Sequence, residues 1–151
     1  MQDTVQSRTP MHLWIVGGLA TLWNAFGAYD YWMTRARDTE YLASMMPGVD
    51  PDAFLAYLDG YPIWAQFGWG LGVWMGLLGS ILLLLRSRWA FHAFALSLVG
   101  MVLSFTYVFT GPPMPGEEAI GAMKYFPLVI VAIGVALLYY AHRQRRNGVL
   151  R

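Results

Sequence analysis

Charged residues fall almost wholly between four apolar stretches of this chain. The stretches run from about His12 to Met33, Pro62 to Leu85, Trp89 to Thr110 and Gly121 to Ala141. About 20 apolar residues in a helix cover the roughly 30 Å of hydrocarbon in a bilayer. Lipid offers the backbone no hydrogen-bond partners, so each crossing is expected to be helical, and the missing strand alternation removes a barrel. Only Asp30 and Lys124 sit within a stretch, each near an end. A soluble protein spreads its charges along the outer faces of amphipathic helices instead. The pattern predicts an all-α, four-transmembrane-helix bundle, with residues 1–151 as a single membrane domain. The leading segment carries one cation, Arg8, and no small-residue cleavage site closes the first stretch. That stretch therefore reads as a retained helix rather than a signal peptide.

Four crossings put the N-terminus, the second connection and the C-terminus on one side. That side holds Arg8, Arg86, Arg88, Arg143, Arg145, Arg146 and Arg151; the other holds Arg35, Arg37 and Lys124 with seven acids. Basic residues mark the cytoplasmic side, so both termini are expected in the cytoplasm.

The connections differ in kind. Arg86-Ser87-Arg88 is short enough to force an antiparallel hairpin, and the proline-rich 111–116 segment should be stiff. The external loop 34–61 is long for a structureless link. Within it Asp50-Pro51 reads as an N-cap followed by a first-turn proline, and Phe54, Leu55 and Leu58 share one face. A short amphipathic helix near 51–59 is expected, ending at Gly60.

At 100° per residue, Gly17, Ala20, Thr21, Asn24, Gly27, Ala28 and Tyr31 gather on one side of the first helix. Ile15, Leu19, Leu22, Phe26, Tyr29 and Met33 gather on the other. Small and polar residues mark the protein-facing side in membranes, so the first group should pack. The second helix carries Gly68, Gly72, Gly76 and Ser80 at i+4 steps with Gly79 beside them, a ladder that admits a close neighbour. Ala93, Ser97, Gly100 and Ser104 offer the third helix a matching face.

Composition adds exclusions. Apolar residues make up 57% and charged ones 13% of the chain, and the net charge is +1, which does not furnish a nucleic-acid-binding surface. Without cysteine there is no disulfide or thiolate chemistry. His12, His92 and His142 lie near cytoplasmic ends without paired metal-ligand spacing, so no metal or other cofactor is expected. Catalytic signatures such as Gly-x-Ser-x-Gly or His-Glu-x-x-His are absent, and an enzyme is not expected.

The polar residues inside the apolar stretches are the candidate chemistry. Asn24, near mid-membrane, reads either as an interhelical hydrogen bond or as a contact to a solute or ion. Asp30 and Tyr31, with Gln66, Thr106, Tyr107, Lys124 and Tyr125, can line a polar vestibule open to the outside. An Asp30–Lys124 ion pair, a solute or proton site, and a solvated interfacial acid are the alternatives for Asp30.

The run Leu22-Trp23-Asn24-Ala25-Phe26-Gly27-Ala28-Tyr29-Asp30-Tyr31-Trp32-Met33-Thr34 resembles a family of small bacterial four-helix membrane proteins sharing Trp-Asn-x-x-Gly-x-x-Asp-Tyr-x-x-Thr. The stretch from Tyr61 through Ala90 is similar too, so the resemblance covers most of the chain. More distantly, the layout is similar to that of DoxX-like four-helix proteins. The resemblance implies a bacterial inner-membrane location and draws attention to Asn24, Gly27, Asp30, Tyr31 and Thr34. Some members carry a sugar-transporter label. The expected function is an accessory or scaffold subunit; the alternative is a transporter of a small solute, such as a sugar, acting as an oligomer. Expected partners are the lipid bilayer and other membrane subunits or a second copy.

Overall fold

The structure is a computed structural model describing residues 9–151; Arg8, used above for orientation, lies outside them. Helix α1 spans Met11–Arg35, α2 Thr39–Met45, α3 Pro51–Asp59, α4 Ile63–Leu84, α5 Ala90–Thr110, α6 Glu117–Ile120 and α7 Phe126–Arg146, with a 3₁₀ turn over Gly121–Tyr125 before α7. No strand occurs among the described residues.

Three of the described helical segments are long and apolar enough to cross a membrane: Ile63–Leu84, Ala90–Thr110 and Glu117–Arg146. Helix α1, expected as the first span, is not among them, because Asn24, Asp30 and three glycines dilute its apolar content. Its faces nevertheless separate. Gly17, Ala20 and Ala28 are buried, whereas Ile15, Leu19, Leu22, Phe26 and Tyr29 are exposed.

Packing follows chain order. Helix α4 lies closest to α5, α1 lies against α4, and α7 lies against α5. The α4–α5 approach depends on missing side chains. A Cβ on Gly68 would stand 2.7 Å from the Leu103 Cβ, and one on Gly100 would stand 2.6 Å from the Gly68 carbonyl oxygen. Helices α1 and α7 meet through larger side chains: His12 and Tyr140 hydrogen-bond at 2.6 Å, and the rings of Trp23 and Phe126 lie 6.2 Å apart.

At the Met11 end a compact apolar core forms from Leu13, Leu83, Ala90, Phe94, Ala141, Val149 and Leu150. The C-terminal tail folds back into it. Arg151 donates its N–H to the Arg86 carbonyl at 2.7 Å, and its own carbonyl accepts from the Arg88 N–H at 2.9 Å.

Two local expectations change. The fourth apolar stretch begins its continuous α-helix at Phe126 rather than Gly121, because Gly121 adopts φ +51° and a 3₁₀ turn intervenes. Loop 34–61 holds two helices. Besides α3, whose Asp50 cap accepts from the Asp52 N–H, Asp38 caps α2 by accepting from the Tyr41 N–H at 2.8 Å.

Candidate functional site

Asn24 sits at the junction of three helices. Its Nδ2 donates to the Ala20 carbonyl and to Ser80 Oγ, both at 2.9 Å, and Ser80 Oγ donates onward to the Gly76 carbonyl at 2.9 Å. The Asn24 carbonyl oxygen lies against Gly76, where a Cβ would collide with it and stand 3.1 Å from Ser97 Oγ. Ser97, on α5, donates to the Gly72 carbonyl at 2.6 Å. The amide and hydroxyl protons are thus spent within the protein. In a low-dielectric interior an unmade hydrogen bond costs far more than a made one contributes. The remaining ladder positions serve the same approach, with Gly72 facing Met101 and Gly79 facing the Phe94 ring.

The vestibule residues do not gather around one space. Asp30 does not pair with Lys124. Its carboxylate accepts from the Tyr41 hydroxyl at 2.9 Å, whereas Lys124 pairs with Glu117 at 3.3 Å and stands 5.3 Å from the Tyr125 ring centroid. The physical reason is local. Helix α2 folds back over the Arg35 end of α1, and Lys124 lies in the 3₁₀ turn beside Glu117. Tyr31 packs edge-on to Trp69, with centroids 4.7 Å apart. Gln66 donates to the Tyr61 carbonyl at 3.0 Å and accepts from Arg35 at 3.3 Å. Thr106 bonds back to Val102 in its own helix, and Tyr107 donates to the Gly60 carbonyl at 3.2 Å.

What forms at the Arg35 end of the bundle is a cap. Buried Tyr61 lies between Tyr57 and Tyr107, at centroid distances of 5.3 and 4.6 Å. Burial pushes the ionisation of the Tyr57 and Tyr61 hydroxyls up. For Tyr41 burial does the same, and donation to Asp30 adds to it. Arg37 forms a bidentate pair with Asp59 at 2.9 and 3.1 Å, tying the α1–α2 connection to the end of α3 and holding the Asp59 carboxyl below its ordinary range. The 34–61 and 111–116 loops also interlock: Val49 is buried, and a Cβ on Gly116 would stand 2.9 Å from it. Sequence reasoning missed Tyr41 and Tyr61. Asp38 ahead of Thr39-Glu40-Tyr41 was the available signal for α2; nothing local marked Tyr61.

An all-helical chain with three helices long and apolar enough to span a bilayer has the character of a membrane protein. Comparison with protein families, curated proteins and solved structures finds no match for this chain.

Proposed function

We propose that this chain is a small multi-pass protein of the bacterial inner membrane, with four crossings, cytoplasmic termini, and a role as an accessory or scaffold subunit for other membrane proteins. One observation carries the reading: the polar side chains best placed to handle a solute have partners within the protein. Asn24 is spent on Ser80, Asp30 on Tyr41, Gln66 on Tyr61 and Lys124 on Glu117. What the bundle offers outward is apolar. Trp14, Ile15, Leu19, Leu22 and Phe26 form an exposed row on α1, and Leu128, Val129 and Val135 are exposed on α7. Soluble monomers rarely expose contiguous apolar patches beyond a few hundred Å². The α1 row therefore supports that helix as the fourth crossing despite its diluted composition. The first-helix resemblance is consistent with the inner-membrane location.

Solubilisation in mild detergent, followed by affinity purification at native expression level, tests the reading. The expected outcome is constant recovery with a larger complex, with solute uptake unchanged by Asn24→Ala or Asp30→Asn. Recovery as a lone oligomer, with uptake lost in either variant, would establish the transporter instead.

A further inference from the structure

Three of the seams between the long helices are closed at a glycine. Gly68 and Gly100 bring α4 onto α5, and Gly76 of α4 receives the Asn24 oxygen of α1. Between α5 and α7, a Cβ on Gly134 would stand 3.2 Å from Met101 Sδ. The seam between α1 and α7 has no such contact. These two helices stand farther apart than the other neighbouring pairs. What joins them is the exposed His12–Tyr140 hydrogen bond at 2.6 Å and the tilted Trp23–Phe126 ring contact at 6.2 Å.

Residues 147–151 add a further tie at the Met11 end. Helix α7 stops at Gly148, which adopts φ +71°. The Val149 N–H donates to the Gln144 carbonyl at 3.0 Å and the Gly148 N–H to the Arg145 carbonyl at 3.2 Å, the pairing that turns a chain back over a helix end. The reversal carries Val149 and Leu150, both buried, into one apolar core with Leu13 of α1, Leu83 of α4 and Ala141 of α7. Arg151 then exchanges its two main-chain bonds with Arg86 and Arg88 of the α4–α5 turn, and Arg86 Nε donates to the Val149 carbonyl at 3.3 Å. Arg88 and Arg151 are exposed, so water replaces these bonds at modest net cost when the segment lifts. Burial of the two apolar side chains is what holds it down.

We infer that residues 147–151 form a releasable strap, hinged at Gly148, that controls the seam between α1 and α7. Docked, the strap completes the one core that α1 and α7 share. Lifted, it leaves that seam free to open, while the three glycine-closed seams stay packed. This depends neither on the scaffold role nor on the crossing of α1.

Distances between spin labels test the strap. The chain has no cysteine, so labels report only the chosen sites. Leu19→Cys with Val135→Cys spans α1 and α7, and Leu78→Cys with Val99→Cys spans α4 and α5; all four positions are exposed. Electron–electron double resonance on the purified full-length chain should give one narrow distance for each pair. Deleting residues 148–151 removes the strap outright. Gly148→Val acts on the turn alone, because a β-branched residue resists positive φ and a Cβ there meets nothing within 4 Å. In both variants the α1–α7 pair should gain a second, longer distance, and the α4–α5 pair should keep one. Should the deletion fail to fold, Gly148→Val decides by the same readout. A single, unchanged α1–α7 distance would overturn the strap. So would a second distance appearing equally in the α4–α5 pair, because the segment would then hold the whole bundle rather than one seam.

Discussion

Asn24 shows how one polar residue can orient a membrane bundle. Its amide ties α1 to α4 through Ser80, and its oxygen occupies the space that a side chain at 76 would need. An interhelical hydrogen bond of this kind contributes about 1 kcal/mol in membranes. Overpacking a tight contact costs about 1–3 kcal/mol. Asn24→Ala should therefore destabilise by about 1 kcal/mol. Gly76→Ala should cost more in the native background than in the Asn24→Ala background, because the second variant removes the atom the new methyl strikes. Equilibrium unfolding in mixed detergent micelles measures this cycle; equal penalties in both backgrounds would mean that Asn24 does not occupy the Gly76 face. The amide was legible from the chain as an apolar-stretch anomaly. Its partner was not, because Ser80 appeared only as one rung of a small-residue ladder. Asp30 was legible in the same limited way: its depth pointed to Lys124, whereas the contact is with Tyr41, a residue whose helix is set by the Asp38 cap.

Among elements, the close seam between α4 and α5 was readable because small residues recur every four positions on one and at Ala93, Ser97, Gly100 and Ser104 on the other. The 34–61 loop was harder. Its helices are short, α2 over Thr39–Met45 and α3 over Pro51–Asp59, and such segments depend on tertiary contacts more than on propensity. The Arg37–Asp59 pair is one such contact, spanning from the α1–α2 connection to the end of α3. Because Arg37 holds the Asp59 carboxyl below its ordinary value of 3.8, the pair stabilises the loop fully above that value. The contribution is lost as pH falls through the lower folded value. Hydrogen-exchange protection of segment 36–62, corrected for intrinsic rates, should drop in wild type on acidification past pH 3.8. Asp59→Asn should lower it already at neutral pH and shrink that step, leaving the part that the Asp38 and Asp50 caps contribute. Identical profiles for the two proteins would show that the pair does not hold the loop.

For the whole molecule, lipid as solvent is the idea from which the rest follows: charges in connections, large apolar residues outward, small and polar residues inward. Three helical segments satisfy length and apolarity by themselves. Helix α1 does not, so its proposed crossing rests on its exposed apolar row and on the basic residues gathered at one end. The start of α7 shows the limit of reading spans from the sequence, because residues 121–125 fall within the expected fourth span but turn as 3₁₀ after Gly121.

The chain lacks cysteine, so single introduced thiols report their side without background. Thr9→Cys, Ala43→Cys and Asn147→Cys, probed in intact cells with a membrane-impermeant maleimide, bracket α1 and the C-terminal end. The account predicts labelling of Ala43→Cys alone, with the other two reacting only after the membrane is permeabilised. Labelling of Thr9→Cys together with Ala43→Cys in intact cells would mean that α1 does not cross, and would contradict it.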